Sequence, residues 1–344
     1  MTMNANWRTF TLLALLGMHL ILFFPGFFAP YDFAQQHRDF PFARPTRIHF
    51  VDATGKLHLR PFVHPLVPSD EASDSYAEDL RQTCSLRLFV SGAPYQVLGL
   101  WTMKLHLVGV DPPAQLFLFG TDSFGRDELS RMLYGGRISL IAGMLAAVAA
   151  LGVGTLLGLL SGFYGGGLDA GVMRVAELFL ALPWLYLLFA VRAILPLNIK
   201  TTDAFLLLVA VVGLVGWARP ARLVRGIVLS AKEKNFVLAA KAMGATDTHL
   251  LRRHILPETY GVLLTTAALL VPQFILAEVT LSFLGLGVGE PIPSWGNLLA
   301  ELQQYSVLTS YWWMYLPAVA LVLLFLLYHS ASSALQQKTT EVRT

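Results

Sequence analysis

Between Arg137 and Asp169 the chain runs 31 residues without a charge, from Ile138 to Leu168. About 20 apolar residues already cross the hydrocarbon of a bilayer as a helix, because lipid offers backbone N–H and C=O groups no partner outside the segment. The run is long enough for a span plus a turn at Tyr164-Gly165-Gly166-Gly167, and others like it follow. Thr9 to Tyr31 gives 23 uncharged residues between Arg8 and Asp32. Val175–Leu195, Ala204–Ala218, Thr259–Gly285 and Trp312–Leu335 complete a set of six. The first stretch is long for a signal-peptide core, and Pro25-Gly26-Phe27-Phe28 offers no small-residue cleavage site, so it reads as a retained span. Composition agrees: 14% of residues are charged and the mean hydropathy is +0.57, where a soluble domain carries about 25% charged residues. The expectation is an all-α polytopic membrane protein with six transmembrane helices.

Lysine and arginine orient such a chain. Arg219 to Glu258 holds eight of them against three acids, a net +5 that exceeds the +3 of the whole protein. The loop between spans five and six carries Glu290 and Glu301 and no basic residue. The loop 219–258 is therefore expected in the cytoplasm with both termini, and 32–119 outside. A basic loop with a membrane explanation removes the case for nucleic acid. One cysteine, Cys84, excludes an internal disulfide framework and any cysteine-rich zinc site.

The organisation that follows is a first helix (1–31), an external insert (32–119), an amphipathic segment (120–137), a five-helix core (138–337) and a short cytoplasmic tail (338–344). Within 36–118 the hydrophobic period changes to two. Ile48 and Phe50, then Leu57 and Leu59, alternate around Asp52-Ala53-Thr54-Gly55; Leu86, Leu88 and Val90, then Leu105 and Leu107, flank Ser91-Gly92-Ala93-Pro94. Both are hairpin patterns, and Ser69 to Asp79 between them reads as an acidic loop or short helix. A β-rich unit of about 80 residues is marginal alone and leans on the membrane part. His49, His58, His64 and His106 lack a cysteine or carboxylate cluster at ligand spacing, so no metal is expected.

The cytoplasmic loop reads Phe236-Val237-Leu238-Ala239-Ala240-Lys241-Ala242-Met243-Gly244-Ala245 and reaches Arg253-His254-Ile255-Leu256-Pro257. Small residues let a helix backbone sit close to a partner groove; Gly244 suits a helix end, and Pro257 the start of the next helix. The segment resembles the coupling loop of ATP-binding cassette (ABC) importer permeases, Glu-Ala-Ala, three residues, Gly, then Leu-Pro, with Leu238 where that pattern has its acid. Three further motifs follow the same family order. Gly120-Thr121-Asp122-Ser123-Phe124-Gly125-Arg126-Asp127 continues to Gly135-Gly136-Arg137. Arg174-Val175-Ala176-Glu177 precedes Ala181-Leu182-Pro183. Leu276-Ala277-Glu278 leads to Leu281-Ser282-Phe283-Leu284-Gly285, then Pro293-Ser294-Trp295-Gly296. Together they resemble the C-type inner-membrane subunit of the peptide and nickel permease family.

That resemblance implies a translocation path shared with a B-type permease subunit, one or two cytoplasmic ABC ATPases, an extracytoplasmic substrate-binding protein, and a di- or oligopeptide cargo; nickel, glutathione-like and modified peptides use similar permeases. It also implies that Leu238, Ala239, Ala240, Met243, Gly244, His254, Leu256 and Pro257 contact or shape the ATPase junction. The chain has no Gly-x-x-x-x-Gly-Lys-Ser/Thr; Gly55-Lys56 is followed by Leu57. ATP and magnesium are thus expected on partner subunits, with no cofactor here. Gly154, Gly158 and Gly162 form overlapping small-residue steps for close helix packing. Pro183 and Pro272 are expected to bend their spans. Glu278, costly inside a membrane, is a candidate path or gate residue with Ser282 and Phe283. A stand-alone secondary transporter is the different-class alternative; it would be expected to show several midplane ionisable groups or inverted repeats.

Overall fold

A computed structural model of the chain describes residues 5–52, 55–69, 76–97, 99–194 and 201–341. The turn residues Ala53 and Thr54, most of the expected 69–79 loop, Leu195 at the expected end of span three and the last tail residues lie outside them. The helices are α1 (Ala5–Phe23), α2 (Pro25–Phe28), α3 (Glu128–Tyr164), α4 (Gly166–Ala181), α5 (Trp184–Ile194), α6 (Thr201–Gly216), α7 (Ala218–Ala231), α8 (Asn235–Ala242), α9 (Asp247–His249), α10 (Leu256–Phe283), α11 (Trp295–Ala300), α12 (Tyr305–Ser310) and α13 (Leu316–Glu341). The strands, all between α2 and α3, are β1 (His49–Val51), β2 (Leu57–Val63), β3 (Leu66–Pro68), β4 (Tyr76–Glu78), β5 (Cys84–Val97) and β6 (Trp101–Val110).

The six expected spans fall on helices of different kinds. Among the described residues, three helical stretches are long and apolar enough to cross a membrane unbroken: Glu128–Tyr164, Asp247–Phe283 and Trp312–Ala334. Two more qualify only as bent pairs, Gly166–Ala181 with Trp184–Ala190 at 95° and Thr202–Gly216 with Ala218–Ala231 at 41°, and Thr9–Phe23 is shorter than a full span. The causes are local. Pro25 cannot continue α1, so the first span stops at Phe23 rather than Tyr31. Pro183 breaks the expected Val175–Leu195 span outright. The basic stretch from Arg219 begins as a helix, α7, and not as a loop. Pro257 stands in the first turn of α10, as expected of a helix start, but helical backbone also runs into it from upstream. The helix begins ten residues earlier, at Asp247, and passes through a π-turn, Leu250–Ile255, whose wider hydrogen bonding (Leu256 N–H to Leu251 C=O) absorbs the donor that proline lacks.

The chain divides into two compact units: 1–15, 140–281 and 324–344 in one, and 16–139 with 282–323 in the other. In the first, α3 and α7 lie against each other along Gly154, Gly158 and Gly162. A Cβ at those positions would meet Pro220 at 2.6 Å, the Ala221 carbonyl at 2.6 Å and Val228 at 2.8 Å. The small-residue steps therefore serve packing inside this chain. Beneath them Val224, Val228, Val237, Ala240, Leu250 and Ile255 form one buried cluster. Arg225 grips Asp169 of α4 bidentately at 2.5 and 2.6 Å, and Ser161 of α3 joins Asp169 at 3.0 Å. Arg174 and Glu177 pair at 3.3 Å on an exposed face, a contact worth a few tenths of a kcal/mol, ~0.3–0.5.

In the second unit the order β1-β2-β5-β6 forms an antiparallel sheet and β3-β4 a separate pair. The first hairpin is as expected, with Val51 opposite Leu57. The second is not. Ser91-Gly92-Ala93-Pro94 is a bulge inside β5, between Ser91 opposite Leu105 and Tyr95 opposite Met103, and the turn lies beyond Val97. A bulge accepts Gly and Pro because it takes residues out of the ladder. The four histidines each hold a separate partner: His49 with Glu78, His58 with Asp52, His64 with the Gln82 carbonyl and His106 with the Ala29 carbonyl.

Candidate functional site

The coupling segment is built by a helix stop. α8 ends at Ala242, and Gly244 adopts φ +86°, the left-handed conformation that glycine enters without a Cβ penalty. Ala245 N–H then reaches the Ala240 carbonyl at 3.1 Å and Gly244 N–H the Lys241 carbonyl at 3.0 Å, a Schellman motif. The chain turns and re-enters helix at Asp247, capped by Thr246. Val237 and Ala240 face the buried cluster, whereas Leu238 is 50% and Met243 84% exposed, with Ala239, Ala242 and Gly244 exposed beside them. Ala240 thus belongs to the packing and not to the free surface, and the segment is two short helices, α8 and α9, on either side of Gly244. His254 is half-buried with its ring 6.0 Å from Phe236, Leu256 is half-buried and Pro257 exposed. Lys234 and Glu258 close the two ends at 2.7 Å.

The second motif folds into a closed turn and not an amphipathic segment. Thr121 bridges Asp127, and Asp122 Oδ1 accepts the N–H groups of Phe124 and Arg126 at 2.8 and 2.9 Å. Gly120 and Gly125 hold the turn against the chain upstream; the Gly125 carbonyl accepts His37 N–H at 3.0 Å. The Thr121 hydroxyl accepts Ala43 N–H at 2.7 Å and donates to the Phe40 carbonyl at 2.6 Å. Asp127 is the N-cap of α3, accepting Ser130 N–H at 2.8 Å, so that helix starts at Glu128, ten residues before Ile138.

Around the turn lies a buried charge cluster that motif reading missed. Arg126 Nε donates to Asp122 at 2.6 Å, while Arg126 Nη1 and Arg131 Nη2 donate to the two oxygens of Glu290 at 2.8 and 2.7 Å. Arg131 and Asp122 are fully buried, and Glu301 stands 3.8 Å from Arg126. Burial opposes ionisation of Glu290, but Arg131 and Arg126 outweigh it and hold its carboxyl below the usual range. Burial pushes Asp127 up to about 7 against the bonds from Ser130, and burial, reinforced by Asp122, pushes Glu301 to about 7. Arg137 is half-buried and forms no ion pair among the described residues. Glu290 lies 164 and 159 residues from Arg126 and Arg131, and its one sequence signal is an acid beside Pro291 and Pro293; Glu301 carries none.

Of the third set, Glu278 and Ser282 are buried and Phe283 is half-buried. Glu278 is 0% and Ser282 2% exposed. The Ser282 hydroxyl accepts Val288 N–H at 3.2 Å, and the Phe283 carbonyl accepts Gln303 at 2.8 Å, so both stabilise the turn that ends α10.

Broken and continuous apolar helices, with α8 presented as an exposed short helix between them, define a multi-pass membrane protein. Residues 154–341 match the family of binding-protein-dependent transport system inner membrane components, and the chain belongs to it. It is 39% identical over 215 residues, 62% of this chain and 68% of the other, to the oligopeptide transport system permease protein OppC of Bacillus subtilis. It is 35% identical over 226 residues, 65% of this chain and 68% of the other, to the dipeptide transport system permease protein DppC of the same organism.

Proposed function

We propose that this chain is the C-type permease of an ATP-driven importer of di- or oligopeptides. The peptide permeases among its relatives support the cargo, and the outward face of α8 supports the coupling. In this reading α8 sits in the cytoplasm and Leu238, Ala239, Ala242 and Met243 press into an ABC ATPase. That partner binds and hydrolyses ATP with magnesium, and this chain holds no cofactor. A B-type permease completes the path, and a substrate-binding protein delivers cargo on the other face, where 32–119 lies; both termini are cytoplasmic. ATP acts on the path only through contacts that differ between two states of the complex. The Gly158–Ala221 approach puts α7 against α3, and Val237 and Ala240 of α8 pack with Val224 and Val228 of α7, which supports delivery of a push on α8 to a packed helix pair. Glu278, Ser282 and Phe283 are assigned to bracing the outer gate.

The test is reconstitution of the chain with its partner permease and ATPases in liposomes, with the binding protein and a labelled tripeptide added. Uptake that needs ATP and all four kinds of component is expected. Proton-driven flux through this chain alone identifies a secondary transporter instead, and ATP-driven uptake of nickel but not peptide keeps the class and changes the cargo.

A further inference from the structure

Within the second unit a cavity of about 570 Å³ opens between the segment 42–47 and the start of the last span, inside the ~300–1,000 Å³ range of small-molecule sites. Its walls are aromatic: Phe42, Tyr76, Tyr311, Trp312 and Trp313. Those walls are fixed. Phe42 stacks face to face on Tyr311 at 4.0 Å, Tyr76 Oη donates to the Pro41 carbonyl at 2.9 Å, and Trp313 Nε1 donates to the Thr121 carbonyl at 3.0 Å. Phe42 itself is held at φ +52°, a left-handed conformation that is strained for a bulky residue and persists only where the surroundings impose it.

Two arginines, Arg44 and Arg47, line the same cavity. Both are exposed, and among the described residues neither pairs with a carboxylate. The backbone that carries them is bolted down, because Ala43 N–H bonds Thr121 and Thr46 exchanges two bonds with Phe117, at 2.8 and 2.9 Å. The tyrosine and inner tryptophan dipoles are thus spent on the walls, and the two guanidiniums remain to meet an occupant.

Trp312 joins the cavity to the apolar surface of the last candidate span. It is 64% exposed and is the first residue of the span Trp312–Ala334. Tyr315, Val319, Val322 and Leu323 continue from it at helical spacing as an exposed apolar stripe. Tryptophan and tyrosine at the end of a span mark the headgroup level of a bilayer. Paired arginines recognise phosphate through several charge-assisted N–H bonds.

From this juxtaposition we infer that the cavity is a binding site for an anionic phospholipid, with its phosphate on Arg44 and Arg47, its glycerol region against Trp312, and an acyl chain along the Trp312–Leu323 stripe. Neutral zwitterionic lipid leaves its choline or ethanolamine cation beside the same guanidiniums and is disfavoured.

The full chain, in the assembled complex and stripped to mild detergent, is titrated with dioleoylphosphatidylglycerol, dioleoylphosphatidylcholine and glycerol 1-phosphate, and adducts are counted by native mass spectrometry. A preference of about tenfold for phosphatidylglycerol over phosphatidylcholine is expected, and its loss in Arg44→Gln/Arg47→Gln, for two charge-assisted contacts. Both sites are exposed, so an unchanged melting midpoint in phosphatidylcholine verifies folding. Equal retention of the two lipids, or a preference that survives in the double variant, overturns the inference. Glycerol 1-phosphate binding as tightly as the lipid assigns the pocket to a soluble phosphate and also overturns it. So does efficient cross-linking of Trp312→Cys to a partner subunit in membranes, which would make the stripe a protein interface.

Discussion

Replacing Gly158 by alanine adds one methyl group where α3 meets α7. An ideal Cβ there stands 2.6 Å from the Ala221 carbonyl oxygen and 2.9 Å from Val224 Cβ, whereas ordinary contact begins near 3.4 Å. The first obstacle is backbone, so relief requires the two helices to part by about 0.8 Å or α7 to tilt; overpacking of this kind costs ~1–3 kcal/mol. Against it stands the gain of ~0.5–1 kcal/mol from a better helix former. The net expectation is a loss of about 1–2 kcal/mol and a fall of roughly 1–3 °C in the apparent melting midpoint. Gly152→Ala is the matched control on the same helix, because its Cβ meets nothing within 4 Å. It should hold or raise the midpoint. Both variants are followed by thermal unfolding in nanodiscs, with ATPase stimulation in the assembled complex as a second readout. Equal midpoints for the two variants would refute the α3–α7 packing argument.

Asp127 and Glu301 carry folded-state values of about 7, raised from the ordinary carboxylate range, so the stability they contribute is fully present at acid pH and is lost as pH rises through about 7. The midpoint should therefore fall by several degrees between about pH 5 and about pH 8, and Asp127→Asn with Glu301→Gln should flatten that slope; a midpoint that rises with pH over this window contradicts the assignment. Leu59, 97% exposed on β2, tests sidedness. Leu59→Cys in a Cys84→Ser chain should react with an impermeant maleimide in intact spheroplasts, and reaction only after lysis would put the sheet in the cytoplasm. Glu278→Gln keeps size and hydrogen bonding, and should lower peptide uptake about two- to fivefold with ATP dependence intact, in line with a polar contact worth ~0.5–1 kcal/mol. Abolished uptake in an assembled complex would show that the charge itself is required.

What could be read directly from the chain was whatever lives within one helix turn or one strand. The Gly244 stop, the Asp52–Gly55 hairpin and the small-residue face at Gly154, Gly158 and Gly162 each follow from local sterics, and each is present. Pairings across distant sequence were not legible. Nothing near Arg131 points to Glu290, because a buried ion pair leaves no period and no spacing. Hydropathy also counts apolar residues without regard to chain direction, so it ran one span through Pro183 and ended another at Ala218, where the helix continues as α7. The same limit hid the role of Ala240. A run of small residues shows that a close approach exists, but not which side of the helix makes it.

In the proposed function the exposed face of α8 meets an ATPase. Met243 is 84% exposed beside the Gly244 turn, and the chain's one cysteine, Cys84, is buried and replaceable. Met243→Cys in a Cys84→Ser chain is assembled with its partner permease and ATPases and treated with a short bifunctional thiol cross-linker, before and after trapping with ATP and vanadate. A cross-linked product with the ATPase that forms in the resting complex and changes in yield on trapping is the predicted result. An intact, transport-active complex in which Met243→Cys never links to the ATPase, while Leu59→Cys does, would contradict it.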